Sequence, residues 1–210
     1  MRMETKKILG LVALMVVIGI VTGTITSYFI FGMLQEDGNN LIKDFYLTEN
    51  AVHVSPHTLR GKMDKGIDDF ILVDVRSQQE YEKEHIVGAI NIPAYVNPNK
   101  SYDLNTDKEA KENIIKAFSA LPKDKEIITY CYSMPCMTGR KIGKLLAENG
   151  IYVKALNIGW NEWRYFWTLW NHDGEWNSTD VKYYIASGPE PGTPKIREPS
   201  KTCGLGELSC

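Results

Sequence analysis

The amino-terminal segment has a hydropathy pattern unlike that of the rest of the chain. No charged residue occurs from Ile8 to Leu34, and this run exceeds the about 20 apolar residues with which a helix crosses a bilayer. A cleaved secretory signal is the alternative interpretation. Such signals have a shorter apolar core that ends in a small-x-small cleavage site, which residues 24–31 do not resemble. We therefore predict one transmembrane helix as an anchor within residues 1–34.

The charges on the two sides of this apolar run predict its orientation. Arg2, Lys6 and Lys7 precede the run, whereas Glu36 and Asp37 follow it. Positive charge marks the cytoplasmic side of a membrane-spanning helix. We therefore expect a single-pass membrane protein whose amino terminus is cytoplasmic and whose remaining residues are extracytoplasmic.

Beyond the anchor, short apolar runs alternate with segments of helical periodicity. Three runs have the composition of strands buried on both faces of a parallel sheet: 70–75, 126–130 and 153–156. Helical spacing of apolar residues extends over 107–121 and 138–149, and Gly150 follows as a common C-terminal cap. Alternating strands and helices predict a parallel α/β sheet with right-handed crossovers. Such sheets bind ligands at the carboxyl ends of their strands.

The same patterns divide the chain into four parts. Residues 1–34 form the cytoplasmic stub and the anchor, and residues 35–50 are a polar spacer in which the apolar residues of 41–47 could form a short packed helix. Residues 51–170 form the α/β domain. Residues 171–210 are rich in Pro and Gly and too poor in apolar residues to form a core, so we predict an irregular C-terminal tail.

Charge and cysteine content restrict the possible partners and cofactors. The net charge is −2 and no block of basic residues occurs, so we expect no nucleic acid as a partner. The chain has four cysteines: Cys131, Cys136, Cys203 and Cys210. Together with the scattered histidines they have no zinc-site spacing, so we expect no metal. Cys203 and Cys210 lie in the tail, where they could form a disulfide or stay free.

Cys131 is the candidate for chemistry, since it directly follows the predicted strand 126–130 and precedes a predicted helix. A thiol in this position faces backbone N–H groups and the positive end of the helix dipole, which stabilise its thiolate and lower its pKa. The sequence therefore predicts a nucleophile. The alternative is a buried structural cysteine, because free cysteine is among the most buried residue types.

Three ordered motifs carry a family resemblance. They are Leu-Val-Asp-Val-Arg at 72–76 with the segments 80–81 and 84–93, Tyr-Cys at 130–131, and Leu-Asn-Ile-Gly-Trp-Asn-Glu-Trp at 156–163. Together they resemble the signatures of the rhodanese family over about residues 51–166. Ordered motifs at appropriate separations are far more specific than any one of them alone. The resemblance implies a rhodanese-like five-stranded parallel sheet with helices on both faces.

The resemblance also implies a sulfurtransferase that needs no cofactor. Its cysteine, Cys131 here, takes a sulfane sulfur from thiosulfate, polysulfide or a protein persulfide and passes it to a thiol or another thiophilic acceptor. Loop N–H groups can stabilise the persulfide anion. Asp74 and Arg76 match the family's Asp-x-Arg, in which the arginine supports the active-site region. A purely structural ion pair is an equally good interpretation of these two residues. The sequence makes no prediction of the oligomeric state.

The loop after Cys131 departs from the family pattern. Its expected residues are Tyr132, Ser133, Met134, Pro135, Cys136, Met137 and Thr138. This loop is about two residues longer than the common rhodanese loop and contains no cation, so a dianion would depend on backbone donors and on Arg140. The methionines form a soft rim that suits a polysulfide or a persulfide at least as well as thiosulfate.

Two further functions stay open at this stage. Cys131 and Cys136 could cycle between dithiol and disulfide as a redox protein. A non-catalytic rhodanese-like module that binds a partner at the membrane is the other alternative.

Overall fold

The computed structural model describes residues 2–34, 38–171 and 179–197. The chain divides into two compact units, Met1–Thr48 and Glu49–Cys210. Cys203 and Cys210 lie outside the described residues, so their pairing stays a prediction.

Helices account for most of the first unit. Helix α1 (Arg2–Leu34) contains a stretch, Lys6–Gly32, that is long and apolar enough to cross a membrane. Its 27 residues span about 40 Å at the helical rise. Helix α2 (Gly38–Val52) occupies most of the predicted spacer and has no buried side chain. The spacer therefore forms a helix, as one of its two interpretations allowed, but its apolar residues stay exposed.

The second unit contains an α/β fold. Its strands are β1 (His53–Val54), β2 (Phe70–Asp74), β3 (His85–Ile86), β4 (Ala89–Asn91), β5 (Tyr95–Asn97), β6 (Lys100–Ser101), β7 (Glu126–Tyr130), β8 (Lys154–Leu156) and β9 (Ile185–Ala186). Its helices are α3 (Pro56–Lys65), α4 (Gln78–Lys83), α5 (Lys108–Ser119), α6 (Met137–Ala147) and α7 (Trp160–Arg164). Five strands form one parallel sheet in the order β1-β8-β7-β2-β4, which confirms the fold predicted from the sequence.

Two apolar cores cover the two faces of this sheet. Successive side chains of a strand point to opposite faces, so Leu72 packs in one core and Val73 in the other. The first core includes Leu59 of α3 and Trp163 of α7. The second core includes Phe118 of α5 and, from α6, the side chains Ile142, Leu145 and Leu146. Covering both faces explains the uninterrupted apolar composition of the central strands.

The register of the central strands determines which residues meet at the carboxyl edge of the sheet. Asp74, the last residue of β2, is level with Tyr130, the last residue of β7, and with Asn91 of β4. The side chains that directly follow these strands therefore lie close together, where parallel sheets bind their ligands.

Residues 179–197, the described part of the predicted tail, include ordered elements that pack on the domain. A 3₁₀ turn at Val181–Tyr184 leads into β9, which pairs antiparallel with β3. Tyr184 is buried in the first core, and its carbonyl accepts a hydrogen bond of 3.1 Å from the Val87 N–H. A few backbone hydrogen bonds and one large side chain thus hold a segment whose composition is too poor in apolar residues to form a core.

Candidate active site

The backbone of the loop that begins at Cys131 is held by α7. The Trp160 N–H donates to the Cys131 carbonyl at 2.9 Å, and the Asn161 N–H donates to the Tyr132 carbonyl at 2.8 Å. Within the loop, the Cys136 N–H donates to the Ser133 carbonyl at 3.0 Å. The first free N–H groups of α7 thus bind the start of the loop, so the 156–163 motif holds the residues that follow β7.

Gly159 lets these two segments approach each other. A Cβ atom at this position would lie 2.1 Å from the Ser133 backbone nitrogen. The backbone angle φ of −111° at Gly159 is available to any residue. The requirement for glycine is therefore one of space, and any side chain here would displace the loop.

The loop has the six residues Cys131–Cys136, because α6 begins at Met137 and Cys136 is its N-cap. The expectation of a loop about two residues longer is therefore wrong. Met137 and Thr138, predicted as loop residues, lie in the first turn of α6. Neither of them is buried, so the hydrophobic periodicity that marks the rest of α6 did not reveal this turn.

Cys131 and Cys136, which we call the thiol pair, are in direct contact. Their Sγ atoms lie 2.9 Å apart and share a hydrogen bond, and both residues are free cysteines. Cys131 is buried with 5% exposure, whereas Cys136 is half-buried at the N-terminus of α6. The two sulfurs therefore have unequal surroundings.

The contact separates the pKa values of the two thiols. The hydrogen bond with Cys136, reinforced by burial, raises the pKa of Cys131. The same hydrogen bond, reinforced by the backbone N–H and hydroxyl of Thr138, lowers the pKa of Cys136 to about 5. Near neutral pH the pair thus shares one proton, which stays on the more buried Cys131. In this resting arrangement, burial and the contact with Cys136 oppose the lowering of the Cys131 pKa that its place after the strand predicts.

Two tyrosines border the thiol pair. The Tyr95 hydroxyl is hydrogen-bonded to Thr138 Oγ1 at 2.8 Å, and its ring meets that of Tyr132 edge to face at 5.1 Å. The Tyr132 hydroxyl donates to the carboxylate of Glu80. Burial raises the pKa of Tyr95 to about 12, with both cysteines contributing. Sequence reasoning missed Tyr95, because it reaches the loop from the distant β5–β6 hairpin and no local motif marks it.

The matched Asp-x-Arg forms a buried cluster with Tyr130, which we call the ion-pair cluster: Asp74, Arg76 and Tyr130. Arg76 Nη2 lies 2.6 Å from Asp74 Oδ2 and also donates to the Glu84 carbonyl at 2.8 Å. The Tyr130 hydroxyl donates to Asp74 Oδ2 at 2.7 Å. The Arg76 guanidinium lies 4.5 Å from the ring centre of Trp160, so it supports the residue that binds the Cys131 carbonyl. In this arrangement Arg76 is a positioning residue.

Arg140 lies at the rim of the site. Its side chain is exposed and contacts the Met137 sulfur at 3.5 Å. Arg140 and both thiols line a recess of about 40 Å³, which is large enough for one or two small atoms. Met134 and Met137 are more than half exposed beside the loop, so the rim is soft and partly apolar.

A carboxylate occupies part of the backbone donor set of the loop. Glu162 accepts hydrogen bonds from the Gly159 N–H at 2.9 Å and from the Met134 N–H at 3.4 Å. One of the N–H groups expected to receive a substrate anion therefore already faces a negative charge. Within the described residues, no group of three or more His, Cys, Asp or Glu side chains is placed to hold a metal ion.

A five-stranded parallel sheet with a free thiol in the loop after its central strand defines a class of cysteine-bearing α/β domain. Comparison with protein families identifies which one. The model of the rhodanese-like domain matches residues 55–165, and the chain belongs to this family. The resemblance found in the sequence is thereby confirmed.

Individual relatives have low similarity or match only part of the chain. The chain is 31% identical to the BH2092 protein of Bacillus halodurans, with 60% of this chain and 80% of that one covered and a TM-score of 0.44. It is 17% identical to the rhodanese-like domain of the Anabaena protein Alr3790, with 74% and 93% covered and a TM-score of 0.40.

A curated relative is named as a regulator of transcription. The chain is 31% identical over 93 residues to the HTH-type transcriptional regulator Rv0324 of Mycobacterium tuberculosis strain H37Rv. The match covers 44% of this chain and 34% of the regulator. The chain thus spans about a third of the length of this relative.

Proposed function

We propose that this protein is a membrane-anchored sulfurtransferase in which Cys131 carries sulfane sulfur as a persulfide and passes it to a thiol acceptor. The observation that carries the proposal is the position of the Cys131 sulfur. It follows the central strand β7 and lies 2.9 Å from the sulfur of Cys136, a group that can take its proton. Membership of the rhodanese-like family supports the same chemistry.

The thiol pair can activate Cys131 without a metal or an organic cofactor. As the Cys131 sulfur attacks the outer sulfur of a donor persulfide, its proton moves to the Cys136 thiolate. The new bond joins Cys131 Sγ to the transferred sulfur, and the sulfur–sulfur bond of the donor breaks. The departing donor thiolate then takes the proton from Cys136. A thiolate nucleophile activated by an adjacent base is the general arrangement in cysteine catalysis.

The charges around the loop favour a persulfide or an uncharged organic polysulfide over thiosulfate. Glu162 and Glu80 place carboxylates beside the loop backbone and the Tyr132 hydroxyl, and Arg140 is the cation at the recess. A dianion would be repelled by the carboxylates and would find few unoccupied donors. A soft donor with little charge fits the methionine rim and the small recess.

The proposed location follows from α1. The stretch Lys6–Gly32 is the candidate span, and the excess of positive charge before it favours a cytoplasmic amino terminus. The domain would then lie outside the cytoplasm. Protease added to cells that have lost their wall and any outer membrane, but keep an intact cytoplasmic membrane, should digest the domain without detergent. Protection of the domain until detergent is added would contradict this orientation.

Mass spectrometry of the full chain in detergent tests the sulfurtransferase. Cys136→Ser incubated with polysulfide, and in parallel with thiosulfate, should gain one sulfur atom on the peptide that contains Cys131, but more slowly than the unchanged chain because the group that takes the proton is lost. The matched double variant Cys131→Ser with Cys136→Ser should gain none there. If Cys131 gains sulfur from neither donor, the proposed carrier chemistry is wrong.

The distance between the two sulfurs also favours a second candidate, a thiol–disulfide redox protein. This function requires both cysteines and no sulfur donor. Reduction of a model disulfide by the fully reduced chain, with no persulfide ever detected on Cys131, would favour it. A non-catalytic binding module would instead be indicated if Cys131→Ser left the cellular function unchanged.

A further inference from the structure

A simple persulfide carrier does not need a second thiol in contact with its nucleophile. Cys136 is nevertheless fixed there by three features of its surroundings. Its N–H donates to the Ser133 carbonyl, it is the N-cap of α6, and its sulfur touches Cys131 Sγ. The position is set by the backbone of the loop, so the contact is part of the local fold.

The contact determines which sulfur of a persulfide Cys136 can reach. Once Cys131 carries an additional sulfur, that outer atom must occupy the recess beside the pair, whereas the inner sulfur is Cys131 Sγ itself. Cys136 Sγ is already 2.9 Å from this inner atom. Attack on the inner sulfur forms a bond between two atoms that are already in contact, and a thiolate is the species that attacks such a bond.

We propose that Cys136 discharges the persulfide on Cys131 by forming a Cys131–Cys136 disulfide and releasing hydrosulfide. The inference rests on the proposed function and deepens it, since the product becomes hydrosulfide as well as a persulfidated acceptor. The resulting disulfide is returned to the thiol pair by an external dithiol reductant. The dithiol is thereby oxidised to its own disulfide.

Atoms and electrons balance in this step. An electron pair from the Cys136 thiolate forms the Sγ–Sγ bond. The bond between Cys131 Sγ and the outer sulfur breaks, and its electrons leave with the outer sulfur, which carries one proton as hydrosulfide. Cys136 is oxidised by this exchange and the sulfane sulfur is reduced to sulfide. Each turnover then consumes one dithiol.

The surroundings of the thiol pair favour both the attack by Cys136 and the departure of the outer sulfur. Cys136 can act as the attacking thiolate, because the N–H and hydroxyl of Thr138 lower the pKa of its thiol and do not depend on the proton of Cys131. The Tyr95 hydroxyl, which stays protonated at neutral pH with a pKa of about 12, borders the sulfurs. It is therefore placed to donate to the sulfur that leaves. Two cysteines separated by four residues on one loop satisfy the chain-length requirement of a disulfide.

A single-turnover experiment on the full chain in detergent tests this role. All proteins carry Cys203→Ser and Cys210→Ser, so that the thiol pair supplies their only thiols. Each is loaded with a limiting amount of polysulfide, desalted and left without external thiol. Hydrosulfide and the Cys131–Cys136 disulfide are then measured over time. With Cys136 present, hydrosulfide and disulfide should appear together in equal amounts.

The added Cys136→Ser substitution should retain the persulfide and release hydrosulfide at least about 100-fold more slowly, since groups held in contact react far faster than separate molecules. Addition of a dithiol should then discharge it. Equal release with and without Cys136, or release without disulfide, would overturn the role of Cys136. Failure of the protein that keeps both cysteines to yield either persulfide or hydrosulfide would instead contradict the proposed sulfurtransferase, so the two failures are distinct.

Discussion

Two groups of polar side chains lie at the carboxyl edge of the same sheet, and they differ in how fully they are satisfied. In the ion-pair cluster, Asp74 is the last residue of β2 and Tyr130 is the last residue of β7. The thiol pair begins with the residue after Tyr130. In the cluster, Asp74 and Arg76 have 0% and 2% exposure and a complete set of partners. In the thiol pair, each sulfur relies mainly on the other and borders an open recess. We expect the reaction at the thiol pair, because its sulfurs can still bind further atoms.

Charge also has different roles in the ion-pair cluster and in the thiol pair. A buried ion pair must be well paired to offset the loss of hydration of both ions, and the geometry of Asp74 and Arg76 meets that requirement. The thiol pair instead holds one proton between two sulfurs in contact, so the proton can pass to Cys136 as Cys131 forms a new bond. The cluster therefore stabilises the edge of the sheet, whereas the thiol pair is the proposed site of reaction.

The largest expected effect comes from breaking the ion-pair cluster. Arg76→Met leaves the Asp74 carboxylate buried without its counter-ion, which should lower the free energy of unfolding by about 3–5 kcal/mol. Thermal and denaturant unfolding of the full chain in detergent measure this loss. At low temperature, sulfur loading on Cys131 should persist, because the guanidinium is engaged with Asp74, the Glu84 carbonyl and the Trp160 ring.

A double variant separates charge from volume in that experiment. Asp74→Asn combined with Arg76→Met removes both charges, and it should cost less stability than Arg76→Met alone because no unpaired carboxylate remains. Loss of sulfur loading in a folded Arg76→Met protein would show that Arg76 acts on the reaction, either on the donor or through Trp160. The assignment of a purely structural role to the ion-pair cluster would then be wrong.

The second prediction perturbs the proton shared by the thiol pair. With the pKa of Cys136 near 5, alkylation of Cys136 should stay fast as the pH falls from about 7 to about 6, where an ordinary thiol of pKa about 8.5 reacts slowly. It should decline only as the pH approaches 5. Peptide mapping after brief alkylation measures the rate at each cysteine.

Cys131→Ala tests the cause of that pH profile. The variant removes the hydrogen bond that contributes most to the lowered pKa. The pKa of Cys136 should therefore rise, and alkylation at pH 6 should slow by about tenfold or more, since one pKa unit changes the thiolate fraction tenfold. An unchanged profile would show that the helix N-terminus alone stabilises the thiolate.

Features that depend on residues close together in the sequence were predicted, whereas features that depend on contacts between distant segments were not. The central strands and helices α5 and α6 were predicted because hydrophobic periodicity reports local burial directly. Cys131 was predicted as the candidate nucleophile because its place after a buried strand is also local. Strand β9 was missed because its pairing with β3 depends on backbone hydrogen bonds, which leave little trace in composition.

The electrostatics of the site were the hardest to predict. A sequence shows Cys131 and Cys136 five positions apart, but their contact depends on the residue at which α6 begins. An error of two residues in that boundary placed Cys136 in mid-loop and assigned the thiolate to Cys131. Tyr95 and Glu162 approach the same loop from other elements, so only the three-dimensional packing reveals them.

The third prediction concerns the close packing that keeps the loop in place. Gly159→Ala introduces a Cβ atom against the Ser133 backbone, which should lower the free energy of unfolding by about 1–3 kcal/mol. Sulfur loading should fall as well, because the loop must move. Gly61→Ala is the matched control, since nothing lies within 4 Å of a Cβ atom there and alanine favours the interior of α3. Equal stability of the two variants would contradict the requirement for glycine at 159.

The smallest expected effect concerns the carboxylate at the loop backbone. Glu162→Gln keeps an oxygen that can accept from the Gly159 and Met134 N–H groups, but it removes a negative charge. Loading by thiosulfate should increase roughly threefold, since a partly exposed charge contributes about 0.5–1 kcal/mol. Loading by an uncharged organic polysulfide should not change. Glu148→Gln, an exposed change at the opposite end of α6, is the control. If Glu162→Gln raised loading by both donors equally, its effect would be on loop geometry and the charge-based preference among donors would be wrong.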